Sequence, residues 1–325
     1  ARAARQAKKE NIEMQPNAIT LTPDASDPNG LTTTQTLASS NLEFLLNGAL
    51  ASGLDRNGIA AAQTPTGAAD LTLDGALGLA FPDGVRVTVF AGGDETGKTM
   101  KVTGTNKQGH KIVEVITGPN NYTVVSDSTF YSITTVAASG ATAGDVEIGV
   151  QGTWTNGTAQ HITLTSAGND SGRTFTVVGT DRRGEVLTET ITGGNTTIAK
   201  GSKNFATVTK ITGDAATAAG VTVGVDGLCE SGWVPLDYRS GNFNVGLAVE
   251  LSSSADLTYT VEHTFNDVQV DGFVEDDATT HNHESLVTQT ASADGNYTNP
   301  ATAFRLALTA HTSGTATIRS ASGLR

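Results

Sequence analysis

Cysteine, aromatic residues and charged residues are all scarce in this sequence. Among 325 residues there is one cysteine, Cys229, while aromatic residues make up 5% and charged residues 16%. A single cysteine excludes a disulfide within the chain, and a chain without such cross-links is typical of proteins that fold in a reducing cytoplasm. Cys229 is most simply interpreted as a small buried residue. The low charge also argues against a disordered polymer, which requires high net charge.

Long apolar runs and basic residues are lacking as well. No run approaches the ~18 apolar residues needed to cross a bilayer, and no signal-peptide core follows the N-terminus. Lys and Arg number 20 against 33 Asp and Glu, which gives a formal net charge of −13. Because wrapping nucleic acid requires clustered basic side chains, we expect neither a nucleic-acid partner nor a membrane partner.

Glycine is abundant, together with Thr, Ala, Val and Ser. The 37 glycines punctuate short runs rich in Val, Ile and Thr, and no helical periodicity is visible. Turn signals spaced about 8–12 residues apart are typical of β-sandwiches and small barrels. The sequence therefore predicts an all-β protein built from tandem small β-sandwich or barrel domains.

The most prominent feature of the sequence is a module that occurs twice without a gap, at an offset of 75 residues. Such self-similarity marks a duplicated structural unit. In each copy a four-residue turn, 106–109 and 181–184, ends in a glycine that we expect to be left-handed. The first-copy positions that recur unchanged include Gly97, Thr99, Val102, Gly104, Thr105, Gly109, Glu114, Ile116, Thr117, Gly118 and Phe130.

A shorter repetition precedes the module, with a spacing of 28 residues that slips to 27. Asp27, Gly30 and Gln35 recur as Asp55, Gly58 and Gln63. We interpret this region as short strands, at 42–46 and 71–73, joined by turns. The predicted division of the chain is an extended N-terminal arm at 1–25, a short repeated β segment at 26–80, module copies at 81–153 and 154–228, and a C-terminal β-sandwich at 229–325 with a long acidic, strandless loop at 267–299.

One stretch matches the phosphate-loop pattern G-x-x-x-x-G-K-T, from Gly92 to Thr99. That chemistry requires a helix after the loop, whose N-terminal amides hold phosphate. A strand-like run follows instead, and the second copy lacks both the first glycine and the lysine. We therefore predict a hairpin turn without nucleotide binding.

Two histidines in the acidic loop, His281 and His283, are candidate metal ligands, with Asp277 as the third; Asp276 and Glu284 are alternatives. Histidines that alternate along an extended backbone point to the same side and can share a metal ion. The simpler interpretation is a polar surface loop, so the prediction is that no metal and no cofactor is required. By its alternation with apolar residues, His263 is predicted to be a core histidine.

Several other polar and aromatic residues are candidates for functional sites. Glu114 and Glu189 occupy equivalent positions in the two copies, and cross-strand contacts with Lys or Thr account for them. Trp154, Trp233 and Tyr238 could stack on a sugar, although core or interface anchoring is the simpler role. No serine lies in a nucleophile-elbow context, and the sequence predicts no catalytic residues.

Basic residues cluster at the N-terminus, in a chain that is otherwise acidic. We interpret them either as a solvated end or as an arm that contacts a neighbouring subunit or a capsid. The contact candidates are Arg2, Arg5, Lys8 and Lys9.

Several motifs together carry a resemblance to a known class of proteins. The copies read GKTMKVTGT from Gly97 and SGRTFTVVGTD from Ser171, followed by EVITG and ETITG; further on come WVPLD from Trp233, YTVEHTFND from Tyr259 and QTASADGNY from Gln289. This combination, over about residues 27–320, resembles modules common in structural proteins of tailed bacteriophages.

The resemblance implies a virion component, assembled in the host cytoplasm, rather than an enzyme. The first hypothesis is a head decoration, or cement, protein that contacts the major capsid protein and itself, for example as a homotrimer. The alternatives are a tail, collar or head–tail junction protein, and a carbohydrate-binding module for host attachment.

Overall fold

The computed structural model describes residues 17–23, 26–39, 42–46, 55–239 and 243–322. Apart from one 3-10 turn at Glu275–Asp277, all regular structure in these residues is β-strand, which confirms the predicted all-β class. No helix in these segments is long and apolar enough to span a bilayer. The strands are β1 Asn17–Leu21, β2 Asp27–Gln35, β3 Asp55–Gln63, β4 Ala69–Asp70, β5 Ala80–Ala91, β6 Thr99–Thr105, β7 Lys111–Thr117, β8 Thr123–Ala138, β9 Val146–Gln151, β10 Trp154–Ser166, β11 Thr174–Thr180, β12 Val186–Thr192, β13 Ile198–Gly213, β14 Val221–Cys229, β15 Val234–Pro235, β16 Val245–Leu251, β17 Asp256–Thr264, β18 His281–Asn282, β19 Ala293–Tyr297, β20 Ala303–Ser313 and β21 Ala316–Ser322.

The chain divides into two compact units. One is Ser26–Gly227, and the other combines Ala1–Ala25 with Leu228–Arg325. The first unit therefore interrupts the second in sequence.

The first module copy is a seven-stranded antiparallel sheet in the order β3-β9-β5-β8-β6-β7, with β4 added on β8. The long strand β8 pairs with β5 along its first half and with β6 along its second half. Alternate side chains of these strands pack into one buried core. The buried core includes Val87, Val89, Met100, Val102, Phe130, Val136 and Ile148.

The second copy repeats this arrangement in the order β12-β11-β13-β10-β14-β2. Its hairpin register reproduces that of the first copy, since Val177 faces Glu189 as Val102 faces Glu114. Both predicted hairpin turns are confirmed at their final glycine. Gly109 has φ of 79° and Gly184 has φ of 84°, a left-handed conformation that residues with a Cβ seldom adopt.

The two N-terminal repeats go to different copies. β3 pairs with β9 of the first copy, whereas β2 pairs with β14 of the second. The registers are equivalent: Ala60 faces Ile148, and Thr32 faces Val223. The predicted separate β segment at 26–80 is therefore not a domain. β2, in its first half, adds a strand to the second module copy, and β3, in its second half, adds a strand to the first copy.

The segments that follow these strands were partly mispredicted. Residues 42–46 form no strand, only an isolated bridge between Glu43 and Thr212. Residues 71–73 are likewise not a strand; the strand is β4, just before them. The segments are still equivalent, because the N–H of Phe44 donates to the carbonyl of Ile211 and that of Leu71 donates to the carbonyl of Val136.

A buried ionic cluster joins the two copies inside the 26–227 unit. Arg86 of β5 donates from both terminal nitrogens to the Glu43 carboxylate, with 3.0 Å between Nη2 and Oε2. Its remaining donors reach the carbonyls of Ser126 at 2.6 Å and Thr209 at 3.0 Å. Lys210 lies 2.7 Å from Asp127. Arg86 and Ser126 belong to the first copy and Thr209 to the second, so the cluster fixes one copy against the other.

The second unit is a sandwich of two four-stranded sheets, β1-β21-β16-β19 and β15-β20-β17-β18. Two sequence-based predictions differ from it. Part of the predicted 1–25 arm is strand β1, which pairs with β21, and the predicted strandless loop at 267–299 contains β18 and β19. The buried core draws on both sheets and includes Cys229, Leu247, Val249, Tyr259, Val261, Phe304, Leu306 and Ile318.

Candidate functional site

The phosphate-loop-like stretch from Gly92 is a turn that leads directly into strand β6, as predicted. The Asp94 carboxylate accepts hydrogen bonds from the Thr96 N–H at 3.0 Å and the Thr96 hydroxyl at 2.7 Å. These bonds hold the pKa of Asp94 below its usual range. The turn therefore stabilises itself through a carboxylate, a group that repels phosphate.

The next residue, Glu95, is buried and fastens a second loop. Its Oε1 accepts the N–H groups of Ala143 and Gly144, the latter at 3.1 Å. In the second copy Asp170 is buried in the same place and accepts the N–H of Ala218 at 2.7 Å. The acidic residue at this duplicated position therefore has the same structural role in both copies. It joins the turn before β6 to the loop before β9 in the first copy, and the turn before β11 to the loop before β14 in the second.

Glu95→Ala is expected to lower the free energy of unfolding of the 26–227 unit by roughly 1–3 kcal/mol, because two backbone N–H groups lose hydrogen bonds to a buried charged acceptor. Lys98→Ala removes the lysine that a phosphate loop requires, yet it should change stability by only about 0.5 kcal/mol or less. Urea titration of both variants measures these changes in the free energy of unfolding. A rise in the wild-type melting temperature on adding Mg-ATP, absent in Lys98→Ala, would contradict the hairpin interpretation.

Glu114 and Glu189 have a different role from the one expected. Glu114 accepts the backbone N–H groups of Asp127 at 2.7 Å and Ser128 at 2.8 Å. Glu189 accepts the N–H and hydroxyl of Ser202 at 2.6 and 2.9 Å. Each glutamate therefore holds the start of the neighbouring long strand through backbone amides rather than through Lys or Thr side chains.

The aromatic residues considered for sugar binding are engaged within the protein or belong to separate units. The Arg305 guanidinium lies over the Trp233 ring, with its Cζ 4.6 Å from the ring centroid. Nε1 of Trp233 donates to the carbonyl of Glu275 at 3.2 Å. Tyr238 is 41% exposed, and the Arg239 guanidinium donates to its hydroxyl at 3.2 Å. Trp154 is half-buried in β10 of the other unit. The basic contact candidates Arg2, Arg5, Lys8 and Lys9 lie outside the described residues.

The predicted metal candidates are not brought together. His281 is exposed, whereas His283 is buried, and its Nδ1 accepts the N–H groups of Ser285 at 3.1 Å and Leu286 at 3.2 Å. Asp277 lies in the 3-10 turn. In the described segments no group of three or more His, Cys, Asp or Glu side chains is arranged to hold a metal ion.

A ring cluster forms around His263 instead. His263 is directly opposite His281 in the β17–β18 ladder, with ring centroids 5.6 Å apart. Tyr297 of β19 lies 5.3 Å from His263 and 4.7 Å from His283. Phe265 contacts the exposed side of the cluster at 5.6 Å from both His263 and His281. His263, predicted to be a core residue, is half-buried at the edge of the core.

The cluster is weakly basic, and two of its ring nitrogens are unsatisfied among the described residues. Burial, followed by the neighbouring His281 and His283, lowers the pKa of His263. Burial likewise lowers the pKa of His283. Nδ1 of His263, Nε2 of His283 and the hydroxyl of Tyr297 are buried without a hydrogen-bond partner among the described residues. The neutral imidazole of His263 is therefore the stable form at neutral pH.

The two module copies differ on one exposed surface, which we call the β7 face: Lys101 of β6 with Lys111, Val113 and Val115 of β7. Val113 is 50% exposed and Val115 58% exposed. At the equivalent positions the second copy has Thr188 and Thr190, also exposed. Among the described residues β7 is the last strand of its sheet, so this apolar pair lies beside a sheet edge whose backbone groups no described strand pairs.

Comparison with known proteins gives no family assignment. No protein-family model matches the sequence, and a search of curated proteins finds no similar one.

Proposed function

We propose that the chain is a non-enzymatic structural component of a bacteriophage particle that decorates the head and stabilises the shell through protein–protein contacts. Two lines of support converge on this proposal. The duplicated modules and the C-terminal motifs resemble those of tailed-phage structural proteins. The polar motifs that suggested chemistry serve as fasteners within the fold.

The β7 face is the observation that carries the proposal. The second copy folds with Thr188 and Thr190 at the positions of Val113 and Val115, so the fold does not require valine there. Exposed valines are costly in water, at roughly 25 cal/mol per Å² of apolar surface. A partner that covers them recovers this free energy, and the flanking Lys101 and Lys111 favour an acidic partner surface.

The mechanism is stabilisation by binding. A decoration protein binds the assembled shell and not the dissociated subunits, so each site stabilises the shell by an amount that grows with the logarithm of the free concentration divided by Kd. At a free concentration about 100 times Kd, each site contributes roughly 2.7 kcal/mol. Because β7 is an edge strand, its partner contacts both the two valines and the backbone groups of the edge.

The test compares wild type with Val113→Thr/Val115→Thr, which installs the residues of the second copy. Wild type is expected to bind empty phage heads and raise their melting temperature. The double variant should bind about 30-fold more weakly, since each lost valine contact accounts for roughly 1 kcal/mol. Sedimentation of heads with bound protein, together with calorimetry of the heads, measures both effects.

Val186→Thr is the matched control, because Val186 is 71% exposed on β12 of the second copy and lies outside the β7 face. It should bind heads like wild type. Equal binding by the double variant would remove the β7 face from the contact. Binding to purified tails in place of heads would assign the chain to the tail or the head–tail junction.

A further inference from the structure

We propose that His263 and His281 together bind a divalent transition-metal ion, such as Zn²⁺, on the β17–β18 ladder, with water completing the coordination. The site differs from the His281–His283 pair suggested by sequence, and it is independent of the proposed role in the particle.

The geometry of the pair suits a shared ion. The residues face each other across the ladder, their ring centroids are 5.6 Å apart and their planes are tilted by 30°. With a metal–nitrogen distance of about 2.0–2.1 Å, each ring centroid lies roughly 3.2 Å from the ion. Two such rings separated by a tetrahedral to trigonal angle have centroids about 5.2–5.5 Å apart. The observed spacing needs little adjustment.

The chemistry of the donors also suits a transition metal. Nδ1 of His263 is buried and has no hydrogen-bond partner among the described residues, a state that a buried polar atom seldom keeps without a bound water or ion. His281 is exposed and gives the ion access from solvent.

The neighbouring groups limit the site to two protein ligands. Nδ1 of His283 already accepts two backbone N–H groups, so its other nitrogen carries the proton. Glu262, next to His263, is held by Arg305 at 2.7 Å. Two imidazoles select Zn²⁺, Cu²⁺ or Ni²⁺ over Ca²⁺ and Mg²⁺, which prefer oxygen ligands. Binding should be weaker than at zinc sites with three or four protein ligands.

Metal binding would fasten a short edge strand. β18 has only two residues, His281 and Asn282. Between the end of β17 at Thr264 and the start of β18, the regular structure is a single 3-10 turn at Glu275–Asp277. An ion shared with His263 would cross-link this strand to β17. We expect Zn²⁺ to slow amide exchange around residues 280–283 and to leave the 26–227 unit unchanged.

The experiment is titration of the metal-free full chain with ZnCl₂ by calorimetry, for wild type, His281→Ala and the control His110→Ala. His281 is exposed, so its removal should leave the fold intact, as the melting temperature in EDTA verifies. The expected result is one Zn²⁺ per chain for wild type and His110→Ala, and at least tenfold weaker binding for His281→Ala.

A second measurement identifies the ligands directly. With one equivalent of CuCl₂, electron paramagnetic resonance of wild type should show coupling to two imidazole nitrogens, and His281→Ala should show fewer. Absence of Zn²⁺ uptake by wild type would overturn the proposal. Equal uptake by His281→Ala, or a Cu²⁺ spectrum unchanged in that variant, would overturn it as well.

Discussion

Replacing Glu43 with alanine is expected to lower the free energy of unfolding of the 26–227 unit by roughly 3–5 kcal/mol, the usual cost of leaving one partner of a buried ion pair without the other. Arg86 stays buried in this variant and keeps the carbonyl acceptors on Ser126 and Thr209, together with a longer contact of 3.9 Å to the exposed Asp127 carboxylate. Lys210, 3.8 Å from Glu43, also loses a partner. Urea denaturation monitored by circular dichroism measures the loss.

A buried ion pair of this kind is costly to break, and its net contribution to stability is usually smaller than that cost. Burial raises the pKa of Glu43 even though Arg86 and Lys210 oppose the shift, so desolvation outweighs the attraction. Replacing both partners with apolar residues, Glu43→Leu with Arg86→Met, should therefore cost far less than Glu43→Ala alone. A double variant as unstable as the single one would contradict this account.

The repeat supplies the matched control. Asp70 is the counterpart of Glu43 in the first copy and is exposed, so Asp70→Ala should change stability by about 0.5 kcal/mol or less. If both alanine variants lose the same stability, the effect does not come from the buried Arg86.

Phe44→Ala is expected to cost about 3–5 kcal/mol and to loosen the second module, although residue 44 lies more than a hundred residues before it in sequence. Phe44 is fully buried, and its ring lies 5.9 Å from that of Phe175. Its N–H donates to the carbonyl of Ile211 at 2.9 Å. Hydrogen exchange read by mass spectrometry should show faster exchange in β11, β13 and β14 and unchanged exchange in β6, β8 and β9.

Leu71→Ala is the converse experiment. Leu71 is the equivalent residue of the first copy and donates to the carbonyl of Val136 at 2.8 Å. Its loss should cost about 2–5 kcal/mol and loosen β6, β8 and β9 instead. If Phe44→Ala loosened the strands of the first copy, the assignment of the N-terminal repeats to the modules would be wrong.

Repetition made the modules predictable from sequence. Recurring glycines and apolar positions located the hairpins, and the final glycine of each turn fixed its conformation. The destinations of the two N-terminal repeats were not predictable, because Asp27 to Gln35 and Asp55 to Gln63 carry the same local signals. Their partners are chosen by contacts distant in sequence, such as Phe44 with Phe175, which local periodicity does not encode.

The histidine cluster was predictable only in part. Sequence spacing drew attention to His281 and His283, but alternation along one strand does not show which residue lies opposite. β18 has two residues and no apolar alternation of its own, so its pairing with β17 left no sequence signal. The sequence predicts His263 to be a core residue because it continues the alternation of apolar residues that runs through Tyr259 and Val261. That alternation does not show that His263 lies at the edge of the core.

The nested order of the strands determines when each strand can pair while the chain is being synthesised on the ribosome. The first module, β3 to β9, is complete once residue 151 has emerged, and all its strands are then present. Gln35 of β2 must wait for Val221, its partner 186 residues later, which takes about 10–40 s at roughly 5–20 residues per second. β1 waits longer still, for β21. The strands therefore pair in order from the first module outward to β2 and then β1. Until its partner has been synthesised, each of these N-terminal strands has an unpaired edge that can pair with another nascent chain.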